Sequence, residues 1–109
     1  MNHTKNIDHH LPRYFPGAIS YPGFSEEDTP IEGCYTMLNI FTDKEYNAPG
    51  IHEDNEGFYV VGGSGKIMVA DEEYDISQGS CMLVPAGVPH AIKKTGDEDL
   101  TIFIYHFAK

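Results

Sequence analysis

The chain is short of cations. Among its 109 residues, Lys and Arg together number 7 against 17 Asp and Glu, for a net charge of -10. A nucleic-acid phosphate backbone or an anionic membrane surface would be repelled overall, so neither is expected as a partner. Long apolar runs are absent too: nothing approaches the ~20 residues of a membrane span, and the polar start Met1–His10 lacks the apolar centre of a signal peptide. A soluble, cytoplasmic protein is expected. Cysteine is scarce, with Cys34 and Cys81 alone. That gives no disulfide framework of a small secreted fold, and both residues read as buried structural thiols, with a single disulfide between them as the alternative. No apolar stripe with helical period and no internal repeat is present. No Ser-His-Asp or Cys-His spacing supports nucleophilic catalysis. Gly62-Gly63-Ser64-Gly65 lacks the strand-to-helix context and the lysine of a phosphate loop, and reads as a hairpin turn.

What is present suits strands. Eleven Gly and seven Pro punctuate a chain with seven Tyr and six Phe, a composition that fits many short strands joined by tight turns. The length is that of one ordinary domain. Residues 1–32, rich in Pro, Gly and charge, read as an irregular N-terminal leader. From residue 33 to 109, runs rich in β-branched and aromatic residues read as strands: Cys34–Thr42, Gly57–Val61, Lys66–Ala70, Ser80–Val84, Ala91–Lys94 and Leu100–Phe107. The expected fold is an all-β barrel or sandwich behind a leader.

Two segments carry the chemistry. In His52-Glu53-Asp54-Asn55-Glu56, a polar bend over the middle residues lets His52 and Glu56 both return to a barrel interior. Strand parity then carries Phe58 and Val60 inward with Glu56, leaving Tyr59 and Val61 on the opposite face. In the second segment, two prolines in Pro85-Ala86-Gly87-Val88-Pro89 stiffen the approach of His90. Two imidazoles and one carboxylate on one side of a metal, with the other side open, form the facial arrangement of non-haem metalloenzymes. The competing reading makes His52, Glu56 and His90 a hydrogen-bonded polar cluster without metal.

The same segments resemble the cupins, small β-barrel proteins with two characteristic motifs. The second motif runs Gly, five residues, Pro, one residue, Gly, two residues, His, three residues, Asn. Gly79, Pro85, Gly87 and His90 match it, and Lys94 replaces the Asn. In the first motif, His52, Glu56 and Gly63 match the second His, the Glu and the final Gly. Gly50 stands in place of the first His, and Lys44 in place of the early Gly. The resemblance implies a double-stranded β-helix, or jelly-roll barrel, with metal ligands His52, Glu56 and His90 and a pocket bordered by Gly50, Phe58 and Val60. His106, in the terminal strand, is the candidate fourth ligand if that strand turns it inward. His3, His9 and His10 read as surface residues.

A divalent ion (Fe, Mn, Ni or Zn) and a small oxygenated metabolite are the expected ligands. The implied enzyme classes are dioxygenase, isomerase and lyase. The alternatives are a non-catalytic barrel binding a sugar or carboxylate, and a degenerate, metal-free cupin. A homodimer is expected, because the two-faced apolar strand Leu100–Phe107 and the aromatic leader exceed what one small core buries.

Overall fold

The computed structural model describes residues 1–108. Its strands are β1 (Arg13–Phe15), β2 (Ala18–Pro22), β3 (Tyr35–Phe41), β4 (Asn55–Gly62), β5 (Ser64–Val69), β6 (Glu72–Ser77), β7 (Cys81–Val84), β8 (His90–Lys94) and β9 (Leu100–Phe107), with one 3-10 turn at Glu26–Asp28. They form two antiparallel sheets, ordered β1-β2-β3-β9-β4-β7 and β6-β5-β8. No α-helix occurs among the described residues, and none is long and apolar enough to cross a membrane. This is the expected all-β jelly roll.

Strand β9 is central in the larger sheet, which settles the facing that an apolar run on both sides leaves open. Leu100, Ile102, Ile104 and His106 are all 3% exposed or less, whereas Tyr105, between them, is 39% exposed. Alternation places each successive side chain on the opposite face. The inner row packs with Phe58 and Val60 from β4, Ile67 from β5, Ile76 from β6, Val84 from β7 and Ile92 from β8 into one core. On the outer face, the Tyr105 ring lies across Gly57, where a Cβ would come 2.2 Å from a ring carbon. Only glycine admits that contact. Tyr59, Val61 and Leu83 extend this exposed apolar face.

Three expectations are corrected. Residues 13–22 are not an irregular leader, because Pro16-Gly17 turns the chain between β1 and β2 rather than breaking it. Phe15 pairs with Ala18 across that turn, and Gly17, at a positive φ of 79°, takes the left-handed conformation that glycine adopts after Pro in a type II-like turn. Strand β6 was not expected either. Its Glu72-Glu73-Tyr74-Asp75 stretch is exposed and only Ile76 is buried, so charge on an edge strand masks the apolar signal. Finally, Cys81 is exposed rather than buried, and both cysteines are free thiols.

Ile102 is fully buried at the centre of the inner row. Ile102→Ala is expected to cost about 3 kcal/mol through lost burial and the cavity left behind. Urea denaturation followed by circular dichroism tests this, and a loss below about 1 kcal/mol would mean the row is not core.

Candidate metal centre

Sheet register assembles the site. Tyr35 on β3 faces His106 on β9, and His106 faces Glu56 on β4, so these three inward side chains stand in one row across the sheet. His52 precedes β4 at the bend. His90 opens β8, where it pairs with Gly50 through two backbone hydrogen bonds of 2.9 and 3.1 Å. Gly87 N donates to the His52 carbonyl at 2.8 Å. Ala86 N donates to Asn55 Oδ1 at 3.0 Å. The proline turn and the acidic bend are thereby tied together, which fixes both imidazoles against Glu56.

The structure brings together the three residues expected as ligands: one donor atom from each of His52, Glu56 and His90 lies within 4.8 Å of the others. His90 Nε2 is 2.7 Å from Glu56 Oε2, and His52 Nε2 is 3.8 Å from Oε1. His90 Nδ1 sits 3.3 Å from the Val88 carbonyl, which can only accept. In the neutral ring that contact favours the proton on Nδ1, so that Nε2, the nitrogen beside the carboxylate, is the one free to ligate a metal once it gives up its own proton.

His106 does face inward, but outside this group. Its Nε2 is 3.0 Å from Glu56 Oε1 and its Nδ1 is 3.2 Å from Asp54 Oδ1, so both nitrogens address carboxylates. The Tyr35 ring stacks on it at 4.0 Å between centroids. His106 is thus placed to orient Glu56 and bridge it to Asp54. Of the expected pocket residues, Gly50 and Phe58 border the cavity beside the group and Val60 does not. Val60 is inward by parity but lies deeper, within the core.

Charge and burial compete here. Burial pushes the Glu56 carboxyl up, but His106 and His90 outweigh it and hold it at about 2. Burial pushes His90 and His106 down, but the Glu56 carboxylate outweighs it, and both are raised above their ordinary 6.5. Burial, reinforced by Asp54 and Glu56, pushes the Tyr35 phenol up.

Two observations fit a metal. Glu56 Oε2 is buried and makes no hydrogen bond of good geometry, its close polar neighbour being His90 Nε2 at 2.7 Å. A buried carboxylate oxygen left this way is costly unless a cation or proton answers it. Second, a Cβ at Gly50 would lie 3.3 Å from His52 Nε2 and 3.6 Å from His90 Nε2, so the position where the motif carries its first His points at the group. Two imidazole nitrogens and a carboxylate oxygen are the donor set of such centres.

The group opens into a cavity of about 380 Å³. Its walls include Tyr35, Met37, Phe41, Phe58, Ile92 and Ile104, together with Arg13, Ser20, Asn39 and Asn47. The last four were not anticipated. Arg13 and Ser20 belong to the strands masked by the Pro-Gly turn, and the alternation of Arg13 and Phe15 about Tyr14 was their only trace.

A family model described as Cupin domain matches residues 42–106, and the chain belongs to the cupin family. No curated protein sequence matches it. Among solved structures, it is similar to a predicted oxalate decarboxylase from Thermotoga maritima, at 17% identity and TM-score 0.77 over 84% of this chain and 81% of that one. It is similar to KdgF from Halomonas sp. at 19% identity and TM-score 0.74, covering 94% and 93%. The polyketide cyclase RemF from Streptomyces resistomycificus gives 15% identity and TM-score 0.70, covering 83% and 64%. At these identities the likeness is one of fold.

The shifts set a pH window. Glu56, held below its ordinary 4.5, contributes stability that is complete above that value and lost as pH falls toward 2. His90 and His106, held above 6.5, contribute stability that is complete below that value and lost as pH rises past their raised values. Metal-free protein is therefore expected to melt highest between about 4.5 and 6.5, whereas metal affinity, which requires His90 to give up its proton, rises above that window. Thermal melts of chelator-treated protein test this, and stability that keeps increasing from pH 6 to 8 would contradict it.

Proposed function

We propose that this cupin holds one divalent ion at His52, Glu56 and His90 and acts on a small oxygenated metabolite bound in the adjoining cavity. The observation that carries the reading is the gathering of His52, Glu56 and His90 at the cavity wall, with Glu56 Oε2 buried, without a well-formed hydrogen bond and 2.7 Å from His90 Nε2. Fe, Mn, Ni and Zn all suit the donor set. Bound there, such an ion would supply Lewis acidity toward a carbonyl, hydroxyl or carboxylate oxygen, or, if redox-active, a site for dioxygen.

The chain's own residues prepare the site. His106 keeps Glu56 in place and ionised, and Asp54 keeps His106 oriented. Val88 fixes the His90 tautomer. Gly50 leaves space beside both imidazoles, where a substrate oxygen can approach. Phe58, Ile104 and Met37 provide an apolar wall that holds water back. The solved neighbours named as a decarboxylase and a cyclase differ in reaction, so the fold leaves the reaction class open.

A second reading, a metal-free binding barrel, is favoured by Gly50 in place of the first motif His and by His106, whose proton answers Glu56 without an ion. Elemental analysis of untagged protein decides between the two. About one equivalent of metal per chain is expected, lost in His52→Ala and His90→Ala. No uptake after anaerobic reconstitution with Fe(II), Mn(II), Ni(II) and Zn(II) would give the site to the metal-free reading. The same proposal pairs two chains across the apolar outer face of Tyr59, Leu83 and Tyr105, and a strictly monomeric light-scattering mass would overturn that part.

A further inference from the structure

The cavity has a second polar end. Arg13 on β1 pairs with Ser20 on β2, and Ser20 pairs with Asn39 on β3, so the three form one polar row across the sheet. All three border the cavity. The Tyr35–His106–Glu56 row lies four residues away along β3, roughly 13 Å at the usual strand rise. Between the two rows stands an apolar one, in which Met37 pairs with Ile104 and Ile104 with Phe58.

The far row is unsatisfied. Asn39 Oδ1 is buried without a hydrogen-bond partner, and the contact of Ser20 Oγ is a weak one, 3.6 Å to the Met37 sulfur. Arg13 stands out further. Lys5, Lys44, Lys66 and Lys94 each pair with a carboxylate, and Lys93 lies over the Tyr46 ring. Among the described residues, Arg13 is the one Lys or Arg side chain with no acidic or aromatic partner. In a chain with 17 acidic residues against 7 basic ones, the unclaimed guanidinium is also the one Lys or Arg side chain bordering the cavity. It borders a neighbouring cleft with Tyr35 and Met37 as well, so it serves the space between the two polar rows. Glu26 also lines that cleft but makes no ion pair with it.

We propose that the ligand is an acid with two polar ends. Its carboxylate pairs with the Arg13 fork, Ser20 and Asn39 meet neighbouring polar groups, and its oxygenated end lies at His52, Glu56 and His90. A guanidinium matches a carboxylate with two parallel hydrogen bonds, which gives it preference over a neutral group of the same shape. The assignment of the oxygenated end rests on the proposed metal-dependent reading. The assignment of Arg13 does not.

Calorimetry separates the two claims. The probes are 2-oxoglutarate and 2-oxoadipate, each against the 2-oxo monocarboxylic acid of the same chain length, titrated into Mn(II)-loaded and metal-free protein. Wild-type protein is expected to prefer the dicarboxylic acids at least tenfold. Arg13→Gln should abolish that preference while leaving metal content and melting temperature unchanged, since Arg13 is exposed on an edge strand, and Arg13→Lys should restore part of it. A preference that survives in Arg13→Gln, or a wild type that shows none in either form, overturns the proposal. Failure to load Mn(II) together with an Arg13-dependent preference in the metal-free protein would overturn the metal reading and uphold Arg13.

Discussion

The arrangement depends on one buried carboxylate. Glu56 is only 5% exposed, and an ion taken from water needs compensating partners wherever it sits. Those partners come from three places in the chain: His52 from the preceding bend, His90 from the start of β8, and His106 from the centre of the larger sheet. Each is positioned by backbone pairing rather than by its own preference, so sheet register and charge compensation are one constraint. Moving β9 by a single residue against β4 would turn His106 outward and Thr-containing faces inward, leaving Glu56 with one fewer cation.

This constraint explains how the site tolerates the loss of a motif ligand. Gly50 contributes backbone hydrogen bonds to His90 but no side chain, while His106 addresses the opposite oxygen of Glu56. The carboxylate is therefore held by His106 at Oε1 and faces His90 through Oε2, with the space beside Gly50 open. A site bordered by apolar walls would favour oriented binding of the proposed small molecule, and the polar row at Arg13 would give that molecule a direction.

Legibility in the sequence followed the range of the interactions. His52, Glu56, Gly79, Pro85, Gly87 and His90 are joined by local spacing, so motif and parity could be read directly. The inward facing of Glu56, Phe58 and Val60 followed from the two-residue strand period, although Val60 faces core rather than cavity because depth depends on which strands pack above it. The facing of His106 was hidden, since both sides of β9 are apolar and its central place in the sheet is a long-range fact. Arg13 and Ser20 were hidden for a different reason: Pro16-Gly17 has the same composition whether it ends structure or turns a hairpin, and only pairing with β3 decides.

The central claim is that three side chains share one ion. The most direct measurement is an anomalous difference map from crystals grown with Mn(II). A single strong peak in contact with His52 Nε2, His90 Nε2 and the Glu56 carboxylate is the expected result. A fully occupied crystal lattice with no peak there, or with manganese held only by His3, His9 or His10, would contradict the account.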